Sequence, residues 1–132
     1  MKIEMHLESL KELFEEIAEG IEKGIEKRQK IIGFCTSSAC VDLLEILLHK
    51  NNLIDPGFIV KHQWLKSKNK LKEKLPFDFP NKKEILDLIF KVEEKRDILC
   101  YGKPQNKEII QETINNLNIL KEKFHEAGLD EI

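Results

Sequence analysis

The sequence has little cysteine, glycine and proline, and these shortages exclude several classes of protein. Among its 132 residues are 3 cysteines, 6 glycines and 4 prolines. An odd number of cysteines with no Cys-x2-Cys pair argues against a disulfide framework and against a zinc ribbon. The sequence also has no secretory signal and no apolar run near the roughly eighteen residues that a membrane span requires. We therefore expect a cytoplasmic protein with no membrane partner.

An excess of charge of one sign is also lacking. Lysine and arginine number 22 against 24 for aspartate and glutamate, so the formal net charge is -2. Tight binding to a nucleic-acid backbone comes from neutralising many phosphates, and this composition gives no overall reason to expect it, although local patches remain open. Hydrophobic residues make up 41% of the chain and charged residues 35%. We expect residues 1–132 to form a single globular helical domain.

Apolar residues recur at helical spacing in the first part of the chain. Residues 2–28 carry them at steps of three and four, which predicts an amphipathic helix with one buried face. The same spacing suits a coiled-coil seam between subunits, which is an open alternative. Residues 31–49 are apolar nearly all round and predict a central bundle helix, in which Gly33 and its small neighbours let another backbone come near. The first stripe consists of Ile3, Leu7, Leu10, Phe14, Ile17, Ile21 and Ile25.

Three further helices are predicted downstream. One covers residues 56–74. The next begins near Asn81, an N-cap with Glu84 as its capping-box partner, and ends before Gly102. The last begins at Pro104, where a missing N–H does no harm. The predicted fold is therefore all-α, a four- to five-helix, mainly antiparallel up-and-down bundle.

The end of the fourth predicted helix carries the residues that point to function. Arg96 lies within a stripe of apolar residues at steps of three and four, where a leucine would be expected. A guanidinium cannot lose its charge, so it must reach solvent there or meet acceptors across a helix interface. Tyr101 follows on the last turn before Gly102 ends the helix. We expect Arg96 and Tyr101 to face a groove at this helix end.

The order Arg96, four residues, Tyr101, Gly102 resembles the closing motif of the HEPN superfamily, small helical bundles in which many members carry Arg, four to six residues, His. More faintly, the resemblance covers residues 33–124, because the apolar helix and the final helix fall where that fold would place them. Arg96 matches the family arginine. Asp97 stands at the following position, which is usually polar, and Tyr101 stands at the histidine position. The resemblance implies an HEPN-like bundle that forms a homodimer.

The resemblance also implies a kind of activity. In the ribonuclease members of the family, two protomers line one cleft, the arginine holds the phosphate and the histidine helps in proton transfer. Arg96 retains the capacity to grip a phosphate with two hydrogen bonds. Tyr101 is a poor substitute for the histidine, because an unperturbed phenol titrates near pH ~10 and an imidazole near pH ~6.5. We expect a non-catalytic or weakly catalytic binding module in RNA or nucleotide biology, or in a toxin-antitoxin system with a nucleotidyltransferase-type partner.

Two alternatives for function stay open at this point. A metal-independent endoribonuclease would use Arg96 and Tyr101 as its catalytic residues. A structural or protein-interaction bundle with no nucleotide role would instead pair Arg96 with Asp97, Glu93 or Asp42 to fix the register of the helices.

Other residues are candidates for the same site. Ser37 and Ser38 are hydroxyl donors, although serines in buried helices usually bond to the carbonyl one turn back. Asp42 needs a cation unless it lies on an exposed polar stripe, and Arg96 is the leading candidate. Arg96 could also make the thiol of Cys100 more reactive. The complete set of expected binding residues is Arg96, Asp97, Tyr101, Lys103, Ser38 and Asp42.

Metal-ligand spacing is missing from the sequence. The four histidines are scattered singly, with no His-x3-His pair. A zinc or di-iron site usually shows such spacing, so we expect no bound metal. No glycine-rich loop for phosphates is present either, and we expect no cofactor.

Overall fold

The computed structural model describes residues 1–132, and every regular element of the chain is a helix. Four long helices form a bundle, and two short helices lie in the connection between the second and third of them. This confirms the predicted all-α bundle, although the helices number six rather than four to five. They are α1 (Ile3–Lys23), α2 (Gln29–Lys50), α3 (His62–Leu65), α4 (Lys68–Lys74), α5 (Lys82–Tyr101) and α6 (Lys107–Glu126).

Helix α2 is the centre of the bundle, as its composition predicts. It packs against α1, α5 and α6. Leu43, Leu44 and Leu48 are fully buried, and burying each such side chain contributes about 1.5–3 kcal/mol. Helix α2 is apolar and long enough to cross a membrane, so the expectation that the chain has no such segment is wrong. However, 78% of the apolar segment is buried inside the bundle. Such burial is what the core helix of a soluble protein shows.

Helix α1 ends earlier than predicted. The apolar period runs to residue 28, but the helix stops at Lys23 because Gly24 adopts a φ of 110°. Glycine takes this conformation readily, and other residues are strained in it. One side of α1 faces the bundle, which confirms an amphipathic helix, but the predicted stripe matches that side only in part. Leu10 and Ile17 are buried, whereas Ile21 is 48% exposed, and His6 and Gly20 are buried although they are not in the stripe. The buried residues of α1 are His6, Leu10, Ile17 and Gly20.

The predicted helix over residues 56–74 is wrong. Residues 51–61 form an irregular connection, and α3 and α4 follow as separate short helices. Ser67 divides them, because its hydroxyl accepts a hydrogen bond from the backbone N of Lys70 at 3.3 Å and caps α4. A side-chain cap of this kind replaces the bond that a continuous helix would make at that amide.

The last two helices begin differently from the predictions. Helix α5 follows Asn81 as expected, but the capping box does not form, because Asn81 has a φ of 58°. Its Nδ2 instead donates to the carbonyl oxygen of Lys123 in α6 at 3.2 Å. Helix α6 begins at Lys107 rather than at Pro104, with Asn106 as its N-cap. A contact between helices therefore accompanies the start of α5 in place of a local cap.

Helices α2 and α5 cross closely at Gly33, as the small residues there predict. A Cβ atom at this position would lie 2.6 Å from Leu99 Cβ and 3.3 Å from Cys100 Sγ. Gln29 ties the same helix ends together, since its Nε2 donates to the carbonyl oxygens of Leu99 and Lys103, both at 3.2 Å. The start of α2 and the end of α5 are thus held side by side at one end of the bundle.

Candidate functional site

Arg96 projects from the inner side of α5 and has no partner. Val92 and Leu99, one turn before and one turn after it, are 1% and 0% exposed. The Arg96 side chain is half-buried, and its Nε is shielded from solvent without an acceptor. No carboxylate oxygen lies within 4.0 Å of its guanidinium. A permanent cation in such a place lacks the acceptor that a buried donor normally has.

Two carboxylates that were expected near Arg96 are bound to other residues. Asp97 Oδ2 accepts from Lys66 Nζ at 2.8 Å, and this hydrogen bond lowers the pKa of Asp97. Asp42 lies on the α1 side of α2, where its Oδ1 is 2.8 Å from His6 Nδ1. The prediction that Arg96 is the cation for Asp42 is therefore wrong, because the partner of Asp42 is His6.

Glu93, the third such carboxylate, belongs to a buried cluster with a hydroxyl and an imidazole. Ser37 Oγ donates to Glu93 Oε2 at 2.6 Å, and His62 Nδ1 lies 3.0 Å from the same oxygen. Glu93 is 1% exposed, and its Oε1 has no partner. Arg96, one turn later, does not pair with it. Arg96 therefore forms none of the three ion pairs by which it was expected to fix the helix register.

The cluster of Ser37, His62 and Glu93 has the composition of a hydrolase triad but not its geometry. Ser37 is fully buried and donates directly to the carboxylate. The ring atom 3.2 Å from Ser37 Oγ is Nδ1, the same atom that meets Glu93. A proton relay needs one ring nitrogen for the serine and the other for the carboxylate. The cluster is an interior hydrogen-bond network that joins α2, α3 and α5.

The remaining predicted site residues are Tyr101 and Lys103, at the end of α5, and Ser38, on α2. Tyr101 is the last residue of α5 and is 77% exposed. Lys103 is exposed just beyond the helix, and Ser38 is half-buried on α2. Of the two adjacent serines, Ser37 is the one whose hydroxyl bonds to α5. The sequence alone does not show which of the two serines bonds to α5.

A cavity of about 380 Å³ opens where the start of α2 meets the turn after α5. Neither Arg96 nor Tyr101 lines it, so the groove expected for that pair is not this cavity. Three of its eight lining residues are basic and one, Glu26, is acidic, and the walls come from the two chain segments that Gln29 holds together. The lining includes Lys27, Arg28, Lys30, Gly102 and Pro104.

Burial sets the direction of the pKa shift at all three cysteine thiols. It raises the pKa of Cys100, and the attraction of Arg96 opposes the shift without cancelling it. Burial also raises the pKa of Cys35 to about 11 and moves the pKa of Cys40 further up. Arg96 therefore favours the Cys100 thiolate as expected, but burial outweighs this effect, and the thiolate that reacts is disfavoured at all three positions.

A second polar cluster, which the sequence did not reveal, lies between α1 and α2. His6 is 2% exposed, with Nδ1 2.8 Å from Asp42 Oδ1 and Nε2 2.9 Å from Glu45 Oε2. The contact between His6 Nε2 and Glu45 Oε2 is short, but its geometry is not that of a hydrogen bond. Ser9 Oγ donates to Asp42 Oδ2 at 2.7 Å, and the backbone N of Val60 donates to Glu45 Oε1 at 2.6 Å. Each carboxylate thus has one oxygen fixed by a donor and the other turned toward His6.

His49 completes this cluster. Its ring centre lies 5.8 Å from that of His6, and its Nε2 is buried without a partner. Burial lowers the pKa of His49, and repulsion from His6 adds to the shift. The available signal in the sequence was the spacing of Asp42, Glu45 and His49 at steps of three and four on one side of α2. The partner on α1 could not be identified from that spacing.

Comparison of the chain with models of protein families, with curated proteins and with solved structures finds no significant match. The chemistry of the residues described above is therefore the basis for a functional proposal.

Proposed function

We propose that this protein is an HEPN-like helical module, non-catalytic or weakly catalytic, that binds the phosphates of RNA or of a nucleotide through Arg96. The observation that carries the proposal is the unpaired guanidinium: its Nε is buried without an acceptor, while Asp97 beside it is bound to Lys66. Arginine holds a phosphate with two parallel hydrogen bonds and cannot become neutral by losing a proton. A phosphate would supply the anion that the chain itself does not.

Other groups suited to such a ligand lie at the same end of the bundle. Gln29 bonds to the carbonyl of Lys103 and so holds this lysine near the start of α2, where Arg28 and Lys30 line the cavity. The first backbone amides of α2 add a positive partial charge there. Tyr101 is 77% exposed, and its ring offers a face on which a base can stack. These features favour a flexible, single-stranded ligand over a duplex.

The endoribonuclease alternative requires Tyr101 to transfer a proton as a general acid or base. A phenol is a weak general acid or base near neutral pH, and this one is exposed to solvent. Binding without cleavage is therefore the better-supported function. We place such a module in the cytoplasm, with a nucleotidyltransferase-type protein of a toxin-antitoxin pair as its candidate partner.

Replacing Arg96 with alanine is expected to weaken RNA binding by roughly 10- to 100-fold, because hydrogen bonds to charged groups contribute about 1.5–3 kcal/mol. Fluorescence anisotropy of a labelled single-stranded RNA, titrated with protein in EDTA, measures the affinity. The matched control is Lys91→Ala, which removes the same charge from an exposed position on α5. Lys91→Ala is expected to change the affinity by less than about 3-fold.

Equal affinities for Arg96→Ala and Lys91→Ala would contradict the proposal, since only unspecific charge would then matter. The same samples distinguish the enzyme from the binder. Metal-independent cleavage of the RNA that disappears in both Arg96→Ala and Tyr101→Phe would favour the endoribonuclease. Absence of RNA and nucleotide binding by the wild-type protein would favour a protein-interaction bundle.

We also propose that the chain forms a homodimer through the side of α2 that no other helix covers. Ile31 and Phe34 on this side are 37% and 51% exposed. Glu12 and Glu16 of α1 lie close to the same part of α2 on one flank, and α5 with Arg96 lies on the other. A twofold axis parallel to α2 would set the flank of one protomer that carries Glu12 and Glu16 against the flank of its partner that carries Arg96.

Replacing Phe34 with glutamate is expected to convert this dimer to a monomer, because a charge would be buried at the centre of the interface. Light scattering during gel filtration measures the molar mass, which is 15.5 kDa for one chain. Ile119→Glu is the control, since Ile119 is 44% exposed on α6, away from this side of α2. A wild-type protein that is monomeric at all concentrations would contradict the proposal.

A further inference from the structure

We propose that the cluster between α1 and α2 is a binding site for one divalent transition-metal ion of the zinc class, with His6 Nε2, Glu45 Oε2 and the imidazole of His49 as ligands and Asp42 positioning His6. The site is separate from Arg96 and does not depend on the function proposed for it. It also revises the expectation from spacing that the chain binds no metal.

The cluster contains two buried carboxylates, which a bound cation would neutralise. Asp42 and Glu45 are 8% and 4% exposed, and no lysine or arginine forms an ion pair with either of them. A protonated His6 would cancel only one of the two negative charges. A divalent ion bound by neutral imidazoles cancels both, which removes the cost of a net buried charge.

The orphaned nitrogens point to the same conclusion. His6 is almost completely buried, yet its Nε2 makes no hydrogen bond, and the Nε2 of His49 is likewise buried and unpartnered. Two such atoms in one place are unusual, because buried polar groups are nearly always satisfied. Both become satisfied when each nitrogen donates its lone pair to a metal ion.

Distances in the cluster suit a tetrahedral ion. Zinc lies about 2.0–2.2 Å from nitrogen and oxygen ligands, so neighbouring ligand atoms stand about 3.3 Å apart and two bound imidazole rings have centres roughly 5 Å apart. His6 Nε2 and Glu45 Oε2 are 2.9 Å apart, and the ring centres of His6 and His49 are 5.8 Å apart. The ligand atoms of His6, Asp42 and Glu45 all lie within 4.8 Å of one another, and the ring of His49 would move toward them to complete the ligand set.

The neighbours of the ligands are placed as a metal site requires. Asp42 Oδ1 meets Nδ1 of His6 at 2.8 Å, which turns Nε2 toward the ion, and Ser9 fixes the other oxygen of Asp42. The backbone N of Val60 fixes Glu45 Oε1 and leaves Oε2 for the metal. In zinc sites a ligating histidine usually donates its other ring N–H to a carboxylate in this way. Three protein ligands leave the fourth position of the ion for water.

Zinc titration of protein that has been treated with EDTA and freed of the chelator tests the proposal. Isothermal calorimetry is expected to give one zinc ion per chain, and added zinc should raise the Tm in a concentration-dependent way. His49→Ala should weaken zinc binding by about 100-fold, and Asp42→Asn by roughly 10- to 100-fold. His125→Ala, which removes an exposed histidine from α6, should leave the affinity unchanged.

Two results would overturn the site. One is wild-type affinity in His49→Ala, with circular dichroism confirming that the variant folds. The other is no stoichiometric zinc binding by the wild-type protein, which would make the cluster a metal-free ion-pair network. Cobalt substitution identifies the ligands independently. Nitrogen and oxygen ligands give a visible spectrum without the near-ultraviolet thiolate band, and the appearance of that band would assign the ion to a cysteine instead.

Discussion

Replacing Gly33 with alanine is expected to destabilise the bundle by about 2–3 kcal/mol. The new Cβ would lie 2.6 Å from Leu99 Cβ, whereas carbon atoms in contact are about 3.5–4.0 Å apart. Leu99 Cβ is fixed to its backbone and cannot rotate away, so α2 and α5 would have to separate. The better helix propensity of alanine recovers at most about 1 kcal/mol. Urea unfolding followed by circular dichroism measures the difference.

Gly20→Ala is the matched control, because Gly20 is also a buried helical glycine at a helix contact. The atoms nearest to its new Cβ would be Ile32 Cγ1 at 3.2 Å, and Arg28 Cβ and Ile32 Cδ1, both at 3.4 Å. Arg28 Cβ is already near ordinary contact distance, the Ile32 side chain can adjust by a few tenths of an ångström, and alanine gains helix propensity. The net change should stay within about 1 kcal/mol. Equal effects of the two substitutions would show that the crossing at Gly33 is looser than described.

Much of the bundle could be predicted because its signals are local. The apolar period of α1 and the continuous apolar surface of α2 follow from residues a few positions apart, and so does the close approach that Gly33 allows. The break between α3 and α4 was missed because a single cap at Ser67 outweighs the apolar pattern around it. The start of α5 differs from expectation because Asn81 bonds to α6, a contact that no local pattern encodes.

The candidate sites were predictable only in part, for a related reason. Arg96 could be recognised because a charge within an apolar stripe is visible in the sequence. Its lack of a partner could not, since that depends on Lys66 taking Asp97 and on His62 and Ser37 taking Glu93. The cluster around His6 was missed altogether. The register between α1 and α2 decides which residue of α1 meets Asp42. This register cannot be read from the sequence, because His6 and Asp42 are 36 residues apart.

Replacing His6 with alanine, in EDTA so that no metal contributes, is expected to destabilise the protein by about 3–5 kcal/mol. His6 lies 2.8 Å from Asp42 and 2.9 Å from Glu45, both of which are buried. Without the imidazole, the two carboxylates would face each other inside the protein with no group between them. Removing one partner of a buried pair leaves an uncompensated charge, and this charge costs more than the lost packing. Chemical unfolding measures the loss.

The origin of that loss can be separated from the packing of the ring. In the background Asp42→Asn with Glu45→Gln, the buried charges are gone, so His6→Ala should cost much less, and the difference is the coupling energy of the cluster. His125→Ala, at an exposed position on α6, should change stability by less than about 0.5 kcal/mol. If His6→Ala costs the same in both backgrounds, the ring acts through volume alone. A large coupling energy would instead identify His6 as the group that keeps both carboxylates buried between α1 and α2.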